Sequence, residues 1–379
     1  MKILEVIPRF NPILGGGVDV VYNVSKQLCL FGHDVTIVTS DYKYDAAYAK
    51  TIEDLGVKVI PFHAMCNFKL FIPTLDFSCW LNEHINEYDI IHLNGTRSYQ
   101  NNLIHKYAIK YHIPYVLQPH GSFKYIGAHT GIKRMYDIVW GNRLIHDATG
   151  FIVLSASEAD QLMQQNILMD KISIVPNGVD LSKFEKLPKP GLFRLKYGIS
   201  DNELVILYLG RLHETKGIDL LILAYSRITN SMDNIRLVIV GPDGGCKEQL
   251  MNLAKANSIE NKILFTGPVS ELEKFSAFVD SDIFVTPRFY GFPITFAESM
   301  ACGLPIITTN NGDYLDFIDG NVGYSTGYSV DALSNAIISL LSNNDEYNKL
   351  KENCIHAAQQ IYNWQSIVVQ LLKEYRRYI

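Results

Sequence analysis

Two cations stand five residues apart on a short loop that is bounded by glycines. Arg211 and Lys216 belong to the segment GRLHETKG, which follows the apolar run 204–209. An arginine offers a fork of N–H donors and a lysine a compact charge, so the two can converge on a diphosphate. Fixed cations of this kind stabilise a leaving phosphate. We predict that both residues serve binding and catalysis, although a solvated charged turn has the same composition.

A single acid lies between an apolar run and a small-residue segment further along the chain. Glu298 stands in the stretch YGFPITFAESMACG, residues 290–303. A buried acid at a helix start is costly unless hydroxyl or backbone N–H groups meet it. Gly291 and Pro293 bracket a turn whose backbone N–H groups could face a ligand. The pattern predicts a polar ligand beside this helix start.

Three further loops follow predicted strands and could approach a ligand. Gly16 and Gly17 stand between the first strand and the first helix, where glycines admit a bulky anion to the helix N-terminus. His120 ends a strand and precedes a glycine, which favours a position at the edge of a site. Pro268 and Val269 follow another strand. Each loop could also be a plain turn, and the glycine loop lacks the third glycine of the dinucleotide fingerprint.

Short β-branched runs alternate with helical patterns along both halves of the chain, which predicts parallel sheets covered on both faces. In the first half the predicted strands are 3–8, 34–39, 58–61, 90–93, 115–117 and 150–154, the last of which closes the series. In the second half they are 204–209, 236–240, 262–265, 283–285 and 305–308. Two doubly wound domains in tandem would place a ligand cleft at the carboxyl ends of their strands.

The domain organisation follows from length and from one break in the pattern. The 379 residues exceed one ordinary core and fit two domains. Lysines and prolines interrupt the alternation between Leu181 and Pro190, which predicts a linker there. We therefore expect an N-terminal domain over residues 1–182 and a C-terminal domain over residues 183–363. Residues 364–379 are predicted to form an amphipathic helix.

Composition and charge narrow the class of protein. The net charge of -5 argues against a general nucleic-acid binder. The first apolar run is too short for a signal peptide and is interrupted by Glu5. No run approaches the roughly 20 residues of a membrane span. The six cysteines lack paired spacing, which predicts reduced thiols in a cytoplasmic protein and no zinc site.

Together these loops resemble the motifs of the retaining glycosyltransferases of family four, which have the GT-B fold. The segment GRLHETKG is similar to the family's Gly-Arg-x4-Lys-Gly pattern, and residues 290–303 are similar to its donor-sugar signature. With Asn177-Gly178 as a further hallmark, the motifs stand in family order over nearly the whole chain. The resemblance implies an α/β protein with two Rossmann-like, doubly wound domains that face each other across a cleft. It also implies that helix 364–379 crosses back to the first domain.

The resemblance implies transfer of a hexose from a nucleotide diphosphate sugar with retained anomeric configuration. His120 would contact the donor sugar near the reacting carbon, through its imidazole or its backbone carbonyl. Glu298 would accept both ribose hydroxyls, as an ionised carboxylate can. The other implied donor contacts are Gly16, Gly17 and Gly210 near phosphate and sugar, Pro268 and Val269 at the base, and Tyr290, Gly291, Phe292, Pro293, Ile294 and Thr295 at the sugar and phosphate.

Tyr290 departs from the family, in which a glutamate at this position accepts hydrogen bonds from sugar hydroxyls. Tyrosine is bulkier and accepts only weakly, so we expect an altered donor preference, with an impaired site as the alternative. A non-catalytic nucleotide-sugar-binding subunit that supports a partner transferase would also account for Tyr290. Such a subunit would not need Arg211, Lys216 and His120. A nucleotide-sugar epimerase or a dehydrogenase fits the motifs less well.

The resemblance implies neither a metal nor a cofactor, because the Arg–Lys pair compensates the charge of the diphosphate. The nucleotide of the donor could be UDP or GDP. The sequence Asp280-Ser281-Asp282 precedes a strand and is not expected to bind metal. The expected acceptor is a glycan or a lipid-linked glycan in cell-surface polysaccharide or glycoconjugate assembly. Aromatic and basic residues at 122–140 and 68–72 could rest on the anionic inner face of a membrane. An ordinary amphipathic segment would have the same composition.

Overall fold

Two parallel sheets organise the chain in the computed structural model, which describes residues 1–66, 71–123, 130–313, 315 and 317–379. One compact unit comprises Met1–Asn177 and Trp364–Ile379, and the other comprises Gly178–Asn363. No helix within the described ranges is long and apolar enough to cross a membrane. All six cysteines are free thiols.

The sheet of the first unit is built from β1 (Lys2–Arg9), β2 (Asp34–Ser40), β3 (Lys58–Phe62), β4 (Ile90–Asn94), β5 (Tyr115–Gln118), β6 (Gly150–Val153) and β7 (Ile172–Ile174). Their spatial order is β3-β2-β1-β4-β5-β6-β7, and every neighbouring pair is parallel. The prediction that β6 closes the series is wrong, because β7 pairs with it. A strand of three residues is too short to produce a recognisable alternation.

Helices cover both faces of this first sheet, so its central strands are largely buried. They are α1 (Gly16–Leu30), α2 (Ala46–Glu53), α3 (Phe77–His84), α4 (Tyr99–Tyr111), α5 (Thr130–Tyr136), α6 (Asn142–His146) and α7 (Ala156–Met163). A π-helical turn, Asp137–Gly141, joins α5 to α6. Ser98 and Ser155 cap α4 and α7 by accepting a hydrogen bond from the backbone N–H three residues on.

The second unit repeats this plan with β8 (Leu204–Leu209), β9 (Ile235–Val240), β10 (Ile263–Gly267), β11 (Ile283–Thr286), β12 (Ile306–Thr309) and β13 (Gly323–Thr326). Their order is β10-β9-β8-β11-β12-β13. The helices of this unit are α8 (Leu192–Tyr197), α9 (Ile218–Ile228), α10 (Lys247–Ala256), α11 (Glu271–Val279), α12 (Ile294–Ala301), α13 (Val330–Leu341) and α14 (Asn344–Gln360). Strand β13 was not predicted, because only one of its four residues is fully buried.

The last helix, α15 (Trp364–Tyr378), belongs to the first unit although it ends the chain. Its apolar face is buried and packs against α1. Glu374 accepts a hydrogen bond from the Ser173 hydroxyl at 2.6 Å, and the Tyr378 hydroxyl donates to the Lys171 carbonyl at 3.1 Å. The helix is therefore held in the first unit by hydrogen bonds at β7 and by the packing of its apolar face.

Candidate functional site

The loops after β8 and β11 meet where the second sheet changes direction. Strands β8 and β11 are neighbours, but the chain leaves β8 towards β9 and leaves β11 towards β12. Adjacent loops diverge at such a switch point and leave a crevice at the carboxyl ends of the strands. The backbone N–H of Arg288 donates to the Lys216 carbonyl at 3.1 Å, which ties the two loops together. Sequence motifs that lie far apart in the chain are thus brought to one edge.

The Arg211 loop is held by the loop that follows β9. The Leu212 N–H donates to the Pro242 carbonyl at 2.9 Å, and the Gly244 N–H donates to the Leu212 carbonyl at 2.8 Å. Gly241 has a φ of +143°, and a Cβ there would lie 2.0 Å from the carbonyl oxygen of Gly210. Only glycine allows this approach without moving backbone. The position of the basic loop therefore depends on a residue outside it.

Arg211 and Lys216 form a cationic pair. Burial lowers the pKa of Lys216 below its usual value, and the nearby charge of Arg211 lowers it further. Within the described residues, no carboxylate makes an ion pair with either side chain. Two like charges without an acidic partner are unfavourable in the unliganded protein. A bound diphosphate would compensate both of them.

A cavity of about 310 Å³, within the range of small-molecule sites, opens beside Arg211. It brings together four of the residues singled out in the sequence: Gly210, Arg211, Pro268 and Val269. The remaining lining residues are Leu209, Val240, Gly241, Pro242, Ser270, Glu271 and Lys274. The carboxyl ends of β8, β9 and β10 thus enclose one concave surface with a cation at its edge.

Glu298 has a partner that the sequence did not indicate. It lies buried on α12, and its Oε1 is 2.5 Å from the Nζ of Lys274 on α11. Lys274 also lines the cavity, so the acid stands next to that surface. An ion pair compensates the cost of burying the carboxylate. The sequence feature that could have indicated this partner is a lysine four residues after Ser270. Ser270 is the N-cap of the helix that follows the Pro268 loop.

The turn before α12 is held from within the second unit. The Gly291 N–H donates to Asp313 Oδ2 at 2.6 Å, so this amide is already satisfied. The ring of Phe292 is buried and packs on those of Phe317 and Tyr362, at centroid distances of 5.9 and 5.3 Å. These contacts fix the backbone of the turn.

Pro293 is the N-cap of α12, and Ile294 and Thr295 are its first two residues. Their position in the first turn leaves both amides without an intrahelical partner. Tyr290 is half-buried. The pKa of Tyr328 is raised mainly by the burial of Tyr328 itself, next by Asp219, and to a smaller extent by Tyr290. The helix start and Tyr290 thus flank the turn that Asp313 holds.

The first unit positions His120 in the loop after β5. Its φ of +52° is unusual for a residue with a side chain. Its Nε2 lies 2.9 Å from the Oδ1 of Asn94, at the end of β4. The next amide, of Gly121, donates to the buried carboxylate of Glu158. Burial, and secondarily the charge of His92, lowers the pKa of His120 to about 3, so the imidazole is neutral.

Gly16 and Gly17 are the first two residues of α1, in the same unit as His120. A Cβ placed on Gly17 would meet no atom within 4 Å, so the helix N-terminus is open there. The structure thus places three candidate residues in the first unit and the other twelve in the second. Each group gathers at the carboxyl edge of its own sheet.

The side chains of Asp280 and Asp282 accept hydrogen bonds from backbone N–H groups. Asp280 accepts hydrogen bonds from the N–H groups of Gly191, Phe193 and Arg194. Asp282 accepts from the Val205 N–H at 2.7 Å and pairs with the Arg194 guanidinium. Across the described part of the chain, no group of three or more His, Cys, Asp or Glu side chains could hold a metal ion.

The segments predicted to touch a membrane are described in part. Phe68, Lys69, Leu70, Lys124 and Tyr125 lie outside the described residues. The helical stretch after them carries large apolar side chains that are strongly exposed: Ile132 56%, Met135 63%, Ile138 68%, Val139 50% and Trp140 47%.

Comparisons with known proteins match both halves of the chain. A model of Glycosyltransferase Family 4 matches residues 14–183, and a model of Glycosyl transferases group 1 matches residues 192–358. The structure of Anabaena HepE in complex with UDP-glucose superposes with a TM-score of 0.79 at 18% identity, over 100% of both chains. The chain therefore has the GT-B fold. It belongs to the group 1 glycosyltransferases of family four.

Two curated relatives are similar to this chain in sequence. The alpha-monoglucosyldiacylglycerol synthase of Streptococcus pneumoniae is 28% identical over 204 residues, which are 52% of this chain and 45% of that protein. The chain thus matches less than half the length of that relative. The phosphatidylinositol N-acetylglucosaminyltransferase gpi3 subunit of Schizosaccharomyces pombe is 23% identical over 375 residues, which are 97% of this chain and 78% of that protein.

Proposed function

We propose that this chain is a retaining hexosyltransferase that moves a sugar from a nucleotide diphosphate sugar to a glycan or lipid-linked acceptor. The observation that carries the proposal is the cationic pair Arg211 and Lys216, which has no ion-paired carboxylate among the described residues and whose Arg211 lines a cavity of about 310 Å³. A nucleoside diphosphate supplies the two negative charges that this edge of the sheet lacks. The UDP-glucose bound by HepE supports this class of donor.

The proposed reaction breaks the bond between the anomeric carbon and the diphosphate and forms a bond from that carbon to an acceptor oxygen on the same face. The proton of the acceptor hydroxyl goes to the leaving phosphate. Arg211 and Lys216 stabilise the charge that develops on this phosphate, which lowers the barrier without a metal ion. We therefore expect a chelator to leave turnover unchanged.

The donor would occupy the crevice with its parts in a fixed order. The base lies near Pro268 and Val269 in the cavity, and Glu298 accepts the ribose hydroxyls. The first amides of α12, at Ile294 and Thr295, offer N–H donors to an anion. His120 and the glycines of α1 belong to the first unit and, by family resemblance, contact the donor sugar and phosphate.

The acceptor side of the proposal rests on the exposed apolar stretch over 132–140. Basic residues accompany it, and such surfaces bind anionic bilayers by burying apolar side chains at the headgroups. Both relatives described above are named for reactions on membrane lipids. We propose a lipid-linked acceptor at the cytoplasmic face of a membrane, and six free thiols fit a reducing compartment.

Release of nucleoside diphosphate tests the function directly. The purified chain is incubated with UDP-, GDP- and ADP-sugars, with and without a membrane-lipid extract. Release from one donor, enhanced by lipid, supports the proposal and names the donor. Nucleotide binding without any release favours the alternative, a non-catalytic subunit that supports a partner transferase, and the relative named as a subunit keeps that alternative in view.

Flotation with anionic liposomes tests the acceptor side separately. The Ile138→Asp change should reduce flotation because it places a charge in the exposed apolar stretch. Leu195→Asp is the matched control, since Leu195 is 82% exposed on α8 in the second unit. Equal flotation of the two variants, or none by the wild type, would remove the membrane proposal and leave the transferase proposal intact.

A further inference from the structure

A buried acid stands in the centre of the first sheet. Glu5 is fully buried in β1, the third of seven strands in spatial order, and its Cα register partner on β4 is His92. Its carboxylate accepts a hydrogen bond from Asn94 Nδ2 at 2.8 Å, and its Oε1 lies 3.1 Å from His92 Nδ1. Burying a charge at this depth costs free energy unless its surroundings compensate it.

Two other buried acids, Asp280 and Glu158, accept hydrogen bonds from backbone amides, but Glu5 does not. Asp280 accepts three backbone N–H groups, and Glu158 accepts two. Every hydrogen bond that Glu5 makes with the described residues involves a side chain, on β4 or on α15. An acid that only braces the backbone would be expected to resemble Asp280. Glu5 instead organises a chain of side chains.

That chain ends at His120. Asn94 donates its amide to Glu5, so its carbonyl Oδ1 is turned towards His120 Nε2 at 2.9 Å. An ionised carboxylate can only accept, and this fixes which way the Asn94 amide points. The carbonyl in turn requires a hydrogen on His120 Nε2. The other ring nitrogen, Nδ1, then carries a lone pair and has no hydrogen-bond partner among the described residues.

The last helix of the chain closes the network on its far side. The Tyr375 hydroxyl lies 2.6 Å from His92 Nδ1 and 3.4 Å from Glu5 Oε1. Burial and the charge of Glu5 raise the pKa of Tyr375 well above its usual value, so the phenol stays protonated. Tyr375 is fully buried and excludes water from the acid.

We propose that Glu5 and Asn94 are positioning residues that fix the tautomer of the neutral His120 imidazole, with its proton on Nε2 and its Nδ1 lone pair presented as a hydrogen-bond acceptor. The part of this inference that concerns turnover rests on the proposed transferase function. A neutral acceptor suits a sugar hydroxyl, and it adds no positive charge beside an anomeric carbon that becomes cationic as the donor bond breaks. The titratable groups linked to His120 are Glu5 through Asn94, His92 and Tyr375 through Glu5, and Glu158 through the Gly121 amide.

The tautomer can be measured on the full-length protein without any substrate. Long-range ¹H–¹⁵N spectra of ¹⁵N-histidine-labelled protein distinguish Nε2–H from Nδ1–H, and the His120 signals are those absent from His120→Gln. We expect the Nε2–H pattern and no titration between pH 5 and 8. A proton on Nδ1 in the wild type, or titration near the ordinary value of about 6.5, overturns the proposal.

Variants separate positioning from simple packing. Glu5→Leu frees the Asn94 amide to turn over, and we expect His120 to become a mixture of tautomers. Glu5→Gln keeps an oxygen acceptor for Asn94 Nδ2 and should retain the wild-type pattern. Asn23→Ala is the matched control, because this buried amide donates to the Asp19 carbonyl and not to the network. An unchanged tautomer in a folded Glu5→Leu protein refutes the role of Glu5.

The kinetic consequence is tested last. Glu5→Leu should lower the turnover number for nucleoside diphosphate release by roughly tenfold to a hundredfold, as expected when a contacting group is misplaced. Glu5→Gln should restore most of it. The expected spectra without any turnover by the wild type would sink the transferase function but not the tautomer. The opposite result, turnover with the wrong tautomer, would sink the tautomer alone.

Discussion

Replacing Lys216 by methionine should make the unliganded protein more stable and the enzyme much slower. Burial and the charge of Arg211 both disfavour the protonated ammonium in the unliganded fold. Methionine has a similar length and removes the charge, so we expect a melting temperature at or above that of the wild type. The same charge is what the diphosphate would meet, and its loss should be felt during turnover.

The size of the kinetic effect follows from one charge pair at contact distance. Two unit charges about 4 Å apart interact by about 4 kcal/mol at the effective dielectric typical of a protein surface. Each 1.36 kcal/mol changes a rate about tenfold, so full loss of the pair corresponds to about a thousandfold. Water that replaces the ammonium offsets part of this, and we expect a fall in kcat of about a hundredfold to a thousandfold. Lys216→Arg, which keeps the charge, should retain more activity.

The assay combines nucleoside diphosphate release with thermal unfolding in the presence and absence of UDP or GDP. The wild type should gain melting temperature with its nucleotide, and Lys216→Met should lose most of that gain. Lys255→Met, on α10, is the matched control and should behave as the wild type does. A variant with wild-type turnover and an undiminished nucleotide shift would refute the proposed role of Lys216.

Lys216 makes the stability of the unliganded protein depend on pH in a direction that can be predicted. A folded-state pKa below the usual lysine value means that the folded protein binds fewer protons than the unfolded chain at alkaline pH. The stability contribution of Lys216 therefore rises as pH increases through its folded pKa towards 10.5. Donor affinity should fall over the same interval, because the ammonium loses its proton. Lys216→Arg should abolish this alkaline loss, and its persistence in that variant would assign it to another group.

Three further predictions test the rest of the site. Tyr290→Glu should alter the ranking of donor sugars by tenfold or more, since a charged hydrogen bond is worth about 1.5–3 kcal/mol, and an unchanged ranking in the panel would contradict this. Glu298→Gln should raise the Kd for the nucleotide by at least about tenfold, while Lys274→Met should raise it less, and titration calorimetry measures both. Gly241→Ala should lower the free energy of unfolding by about 2–5 kcal/mol, because a Cβ would lie 2.0 Å from a backbone oxygen. Gly245→Ala, whose Cβ meets open space at a φ of +103°, should cost only about 1–2 kcal/mol, and equal losses in denaturant titrations would show that the close contact is not the cause.

The fold class was predictable because each long strand leaves an apolar run in the sequence. Strands such as Leu204–Leu209 and Asp34–Ser40 lie where the pattern predicted them. The strand Ile172–Ile174 was missed because three residues do not establish a period, and Gly323–Thr326 was missed because only one of its four residues is buried. Sheet order could not come from local pattern at all, since it depends on which strands pair over long separations.

The candidate site was predictable in its loops and not in its partners. Glycines and cations at the ends of strands indicated where Arg211 would lie. The ion pair of Lys274 with Glu298 joins two helices that no motif connects, so it needed coordinates. Glu5 gave a signal, an acid inside an apolar strand, but its meaning depends on Asn94 and on a helix that ends the chain. Contacts between segments that lie far apart in the sequence cannot be predicted from local sequence patterns.

The return of α15 to the first unit has a consequence for synthesis on the ribosome. The second unit is one continuous segment, Gly178–Asn363, and can complete its core as it emerges. The first 177 residues must wait for α15, whose side chains Leu371 and Tyr375 are buried in the first unit. Until α15 has been made, the apolar surface that it covers stays exposed. We therefore expect the first unit to depend on chaperones during synthesis for longer than the second unit does.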